Sequence, residues 1–154
     1  MFRLRLRTGF EPTYMTGASA GADLKSTEHL VIPPGSVGRV PTGVFIDGVD
    51  WDKVPEGFIP ELQIRARSGL AFKKQVTLAN GVGTVDADYP DEICVLLLNL
   101  GKDPFVVEPG DRIAQLVGNL VARLPIATAT SSVTSSAPHA MATTRTGGFG
   151  STGV

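Results

Sequence analysis

Turn signals interrupt this chain so often that no stretch of it offers a long helix. Pro33-Pro34-Gly35, Asn80-Gly81, Pro90-Asp91 and Pro109-Gly110 each call for backbone that an α-helix does not supply, and nothing between them keeps a 3.6-residue period. The 18 glycines and 11 prolines among 154 residues point the same way. Short apolar or alternating runs closed by turns predict an all-β protein, a jelly-roll-like barrel or sandwich.

The runs can be placed. Residues 2–7 alternate Phe-Arg-Leu-Arg-Leu-Arg, which predicts a half-buried strand with its arginines outward. Strands are also expected at 29–32, at 37–45 with Pro41 at an edge or bulge, and within 106–121. Residues 58–67 put Phe58, Pro60, Leu62, Ile64 and Ala66 on one side, and Glu61, Gln63, Arg65 and Arg67 on the other. The best helix candidate is a turn or two at 68–73. Residues 47–57 form a polar loop, and its Trp51 is expected to pack onto the core.

Residues 77–100 organise the rest. Two strand-like runs flank a centre rich in carboxylates that carries Tyr89, with Asn80, Gly81 and Gly83 on one side and Pro90-Asp91 on the other. This predicts a β-hairpin or a pair of close turns presenting Asp86 and Tyr89 at one end. Residues 93–98 are apolar without alternation, as in a strand buried on both faces. A carboxylate cluster beside such a strand must be solvated, paired or used.

Length allows one domain with a real core. Near residue 126 the composition changes to Ala, Thr and Ser. The expected organisation is a β domain over 1–125, a flexible tether over 126–144 and a glycine-rich closing motif over 145–154. A coil of roughly 20 residues spans ~25 Å, enough to reach a neighbouring subunit.

Charge and cysteine usage narrow the function. With 14 basic and 15 acidic residues the net charge of −1 argues against a duplex nucleic-acid binder. The single Cys94 excludes an intrachain disulfide and sits in the most apolar run, as a small buried hydrophobe would. No apolar run approaches the ~18 residues of a membrane span. The expectation is a soluble, cytoplasmic protein with neither a nucleic-acid nor a membrane partner.

Four separated patches share one chemistry. Arg65-Ala66-Arg67-Ser68-Gly69 brings guanidinium, hydroxyl and backbone amides together at a strand end. Gly110-Asp111-Arg112-Ile113-Ala114-Gln115-Leu116 combines a tight turn with a strand on which Asp111, Ile113 and Gln115 would share a face. The tail adds Arg145, Phe149, Ser151 and Thr152, while Asp23, Asp86, Asp88 and Glu92 supply acids for hydrated Mg²⁺ or for a general base. Singly these are weak signals. Together they describe a polyphosphate held by arginines, amides and a metal, beside a carboxylate that activates water.

Five motifs in order extend this reading: Ala20-Gly21-Ala22-Asp23-Leu24, Arg67-Ser68-Gly69-Leu70-Ala71, Gly83-Thr84-Val85-Asp86-Ala87-Asp88-Tyr89, Gly110 to Leu116, and Arg145-Thr-Gly-Gly-Phe149-Gly-Ser-Thr152-Gly. Over nearly its whole length the chain resembles the trimeric dUTP diphosphatases (dUTPases). The resemblance implies a homotrimer with sites at subunit interfaces and Mg²⁺-dependent cleavage of dUTP to dUMP and pyrophosphate, which limits uracil in DNA and supplies dUMP for dTMP synthesis. It implies that Asp86 orients and deprotonates the attacking water, that Tyr89 packs under the deoxyribose, and that Asn80 with Gly83, Thr84 and Val85 meets the uracil edge. Arg67, Ser68, Gly69 and Gln115 would hold phosphates. Asp23 would support the site through metal-bound water, the metal otherwise being held by substrate phosphates. Arg145, Phe149, Gly150, Ser151 and Thr152 would close over the nucleotide. Pro90-Asp91 departs from the basic or polar residue and glycine usual after that tyrosine. The alternatives are a related dCTP deaminase or deoxynucleotide pyrophosphatase, and a nucleotide-dependent protein-binding module on the same fold. Loss of Asp86 or of the tail motif would favour a non-catalytic protein, and both are present.

Overall fold

The computed structural model describes residues 2–6 and 10–126. The expected tether and the closing motif with Arg145, Phe149, Gly150, Ser151 and Thr152 lie outside the described residues, apart from residue 126.

Strands β1 (Phe2–Leu6), β2 (Ala22–Lys25), β3 (Leu30–Ile32), β4 (Val37–Val49), β5 (Phe58–Arg65), β6 (Val76–Leu78), β7 (Gly83–Val85), β8 (Ile93–Asn99), β9 (Phe105–Val107) and β10 (Arg112–Ala122) make two four-stranded sheets, ordered β1-β4-β8-β6 and β2-β10-β5-β7, and a two-stranded sheet β3-β9. The strand pairings are antiparallel. The all-β expectation holds. The core joins Val40, Val95 and Leu97 of one sheet to Leu24, Ile113 and Leu116 of the other. Each such side chain taken out of water stabilises the fold by about 1.5–3 kcal/mol. Cys94 is buried, as expected.

Long strands serve two neighbours each. β4 pairs with β8 through its first half and with β1 through its second. The change falls at a bulge: Pro41 stands opposite Cys94 and Val44 opposite Ile93, so Thr42 and Gly43 have no counterpart. Proline lacks the N–H a ladder needs, and Gly43 takes φ +71°, which a side chain would resist. The irregularity expected at Pro41 is here. β8 is buried along most of its length, in keeping with its unbroken apolar sequence. The helix expected after β5 is α1 (Ser68–Lys74), which ends where Gln75 turns left-handed and its N–H reaches the Leu70 carbonyl.

Two expectations need correction and a third is narrowed. Of the two forms expected for residues 77–100, the pair of turns is found and the hairpin is not: β6 pairs with β8 in one sheet and β7 with β5 in the other. The Asn80-Gly81 turn therefore switches sheets, and residues 86–92 carry the chain back. The loop expected over 47–57 is shorter, because β4 continues to Val49 before a 3-10 turn, Trp51–Lys53. Trp51 is 43% exposed and does not pack into the core. Val49 takes the buried position, while Asp50 ties the turn to the surface through Arg3 and Lys53. The hydrogen bond from Lys53 holds the Asp50 carboxyl below its ordinary range.

The β1 arginines Arg3 and Arg5 are exposed, Arg5 lying 4.4 Å over the Phe45 ring, yet Leu4 is exposed too because β1 is an edge strand.

Candidate active site

The expected site residues fall into two groups. The first gathers where β2, β5 and β10 meet. Asp23 lies opposite Gln115, and Gln115 opposite Arg65. The Asp23 carboxylate is only 2% exposed. One oxygen stands 3.1 Å from the Arg112 guanidinium; the other is 3.4 Å from both Arg67 Nε and Gln115 Nε2. Arg67 also donates to the Arg112 carbonyl at 2.8 Å. A buried carboxylate needs such partners, and here they fix two guanidiniums at the start of α1. Ser68 and Gly69 follow, both exposed. A Cβ on Gly69 would meet no atom within 4 Å, and its φ is not in the left-handed region, so the fold of the chain alone does not demand glycine there.

Alternation alone misplaced Gln115. A shift in register between Arg112 and Ala114 turns both Ile113 and Ala114 into the core, so Gln115 faces Asp23 and does not share a face with Ile113. The same bulge brings in Arg112, which sequence reasoning left out of the site. Its Asp111-Arg112 setting resembles an ordinary surface pair. Gly21 admits the close approach of β10: a Cβ there would lie 3.1 Å from Gln115 Cβ.

The second group lines the passage between the sheets. Gly83 and Val85 are buried and pair with Ile64 and Leu62, leaving Thr84 exposed between them. Asn80 covers the turn: a Cβ on Gly83 would lie 3.2 Å from Asn80 Nδ2 and 3.2 Å from Ile64 Cβ. Asp86 is exposed directly after β7, and a turn follows in which the Tyr89 N–H meets the Asp86 carbonyl at 3.1 Å. Tyr89 is partly buried against the core. Asp88 is exposed, whereas Glu92 is half-buried and accepts the Gly43 N–H at 2.6 Å.

The two groups flank β5, Gly83 standing beside Ile64 and Gln115 beside Arg65, yet Asp86 and Arg67 do not meet within one chain. Val85 stands beside Leu62, and Asp86 continues away from Arg67, which lies beyond the opposite end of β5. At roughly 3.3 Å per residue, Leu62 and Arg67 are already about 15 Å apart. A metal cage is also missing: among the described residues no group of three or more His, Cys, Asp or Glu side chains could hold an ion. The Asp23 oxygens are occupied by Arg67, Arg112 and Gln115.

Known proteins share this sequence and this fold. The dUTPase family model matches residues 10–153. The deoxyuridine 5'-triphosphate nucleotidohydrolase of Chlamydia muridarum is 41% identical over 99% of this chain and 97% of its own length. The Rhizobium etli protein of the same name is 44% identical over 100% of this chain and 92% of its own. Among solved structures, the dUTPase of Streptococcus mutans aligns with a TM-score of 0.62 at 29% identity, covering 81% of this chain and 98% of that one. The dUTPase from phage phi11 of S. aureus reaches a TM-score of 0.68 over 85% of this chain and 97% of that one, and at 19% identity it speaks for the fold alone. A mutant of that phage enzyme coordinates a structural Mg(II) ion. Spanned almost from end to end by these relatives, the chain belongs to the dUTPase family.

Proposed function

We propose that the chain hydrolyses dUTP to dUMP and pyrophosphate in a site completed between copies of itself, as a homotrimer. The separation of Asp86 from Arg67 carries this reading. A triphosphate cannot span the gap inside one chain, whereas two copies can bring the Asp86 end of one to the Arg67 end of the next.

In that site Asp86 accepts a proton from water as the water oxygen bonds to the α-phosphorus. The bond from that phosphorus to the bridging oxygen breaks, and pyrophosphate leaves. Arg67, Ser68, Gly69 and Gln115 hold the phosphates, with Arg112 and Asp23 keeping Arg67 in place. The open space over Gly69 suits close approach of a phosphate to backbone. Tyr89 packs beneath the deoxyribose and leaves no room for a 2′-hydroxyl. Asn80 with Gly83, Thr84 and Val85 meets the uracil edge, and Arg145, Phe149, Gly150, Ser151 and Thr152 close over the nucleotide at the end of the 126–144 tether.

A protein-held Mg²⁺ does not fit the donor set, because the Asp23 oxygens are engaged by arginines and glutamine. A cation carried by the substrate's phosphates and water needs no such cage. When bound there, Mg²⁺ supplies positive charge against the phosphates. We assign Asp23 to orienting Arg67 and Arg112 in preference to a metal-bound water. Among the described residues no helix is long and apolar enough to cross a membrane. The proposed setting is the cytoplasm, where the reaction limits uracil in DNA and supplies dUMP.

Pyrophosphate release from dUTP, dCTP, dTTP and UTP, each with Mg²⁺ and with EDTA, tests the assignment. Fast metal-dependent turnover of dUTP alone is expected. Equal turnover of UTP would overturn the role given to Tyr89, and no turnover of any of the four would overturn the reading.

A further inference from the structure

Residues 86–92 carry Asp86 and Tyr89 from one sheet to the other, and the two ends of this crossing are held differently. The first end is ordinary sheet, since Val85 pairs with Leu62. The second end lands on the β4 bulge. There the Gly43 N–H, freed from the ladder and redirected by φ +71°, donates to Glu92 Oε1 at 2.6 Å. Beside it the buried Thr42 hydroxyl donates to the Ile93 carbonyl at 2.5 Å and accepts the Val44 N–H at 3.3 Å. Both residues left without a ladder counterpart thus engage consecutive residues at the end of the crossing.

We infer that Glu92 is a positioning residue: through Gly43 it sets where Tyr89 and Asp86 stand against the nucleotide. The connection between them is short and stiff. Pro90 has a fixed φ and restricts Tyr89 to extended backbone, so a displacement of Glu92 passes to Tyr89 with little absorbed on the way. Glu92 thereby leaves the group of acids available for metal or base chemistry. It acts on the reaction through Tyr89, whose partly buried ring packs against the core.

The inference rests on the proposed dUTP reaction, and the experiment separates the two. Glu92→Ala and Glu92→Gln are compared with wild type in steady-state turnover of dUTP and UTP, in thermal unfolding, and in hydrogen exchange at the Gly43 and Tyr89 amides. Glu92→Gln keeps an acceptor oxygen and is expected to retain kcat/KM within about threefold. Glu92→Ala is expected to lose ~10- to 100-fold in kcat/KM for dUTP and to narrow the preference for dUTP over UTP, with faster exchange at both amides. An unchanged dUTP-to-UTP ratio in Glu92→Ala, or activity lost only in proportion to unfolded protein, would overturn the positioning role. If wild type itself fails to turn over dUTP, the reaction assignment falls. The exchange rates then decide the hold of Glu92 on Gly43: unchanged protection of Gly43 and Tyr89 in Glu92→Ala would overturn it, and loss of protection at both would uphold it.

Discussion

Asp86 and Arg67 stand on opposite sides of Leu62: Asp86 follows the residue paired with Leu62, and Arg67 lies beyond the far end of the same strand. The group proposed to take a proton and the group proposed to hold phosphate thus stand apart within one chain. This division makes the role of each separable by mutation. Asp86→Asn preserves shape and removes the base, so kcat for dUTP is expected to fall by ~10²- to 10⁴-fold while KM stays within about threefold. Steady-state kinetics check this, and a KM effect larger than the kcat effect would assign Asp86 to binding.

Asp23 is expected to matter for both stability and substrate. Its buried carboxylate is the common partner of Arg67, Arg112 and Gln115. Asp23→Ala would take the shared carboxylate from two partly solvated guanidiniums and lower stability by about 1–2 kcal/mol, read from the urea midpoint. In the fraction that stays folded, KM for dUTP should rise more than kcat falls. An unchanged midpoint would contradict the structural part of this role.

Gly83 is held between Asn80 and Ile64, with a Cβ position 3.2 Å from an atom of each. The exposed Asn80 amide can move aside, but Ile64 Cβ is fixed in a buried strand. Gly83→Ala is therefore expected to destabilise by about 1–3 kcal/mol and to displace Asn80 from the uracil edge. Thermal unfolding with dUMP titration checks both effects. Gly69→Ala, which meets open space within the chain, should leave stability unchanged and weaken substrate binding.

Deleting the chain after Thr144 is expected to leave a folded oligomer with little activity. The described strands and their core lie within residues 2–126, while the proposed closure over the nucleotide needs Arg145 and Phe149. Light scattering with turnover measurements distinguishes the outcomes, and near-normal turnover by the truncated protein would remove the tail from the mechanism.

Much of this was legible in the residues, for identifiable reasons. Pro41 announces a bulge because it has no N–H to give, and residues 93–98 announce burial because they never alternate. Asp23, Arg67 and Gln115, singled out in three separate motifs by their polar side chains, do come together. Strand partnership is different. Asn80-Gly81 specifies a turn but not that β6 would choose β8 and β7 would choose β5, pairings decided by contacts far along the chain. Arg112 was hidden because a one-residue shift in register reverses the face on which each following side chain lies. Trp51 has core-like bulk, but the single 3-10 turn that carries it leaves it on the surface.

The most direct test of a site built between copies is subunit complementation. Asp86→Asn and Arg67→Ala proteins, each with little activity alone, are unfolded, mixed in equal amounts and refolded together. If one chain supplies Asp86 and another supplies Arg67, random trimers should regain about a quarter of the wild-type sites and of the wild-type kcat. Activity no higher than the sum of the two separate variants, in mixed trimers verified by mass, would contradict the shared site.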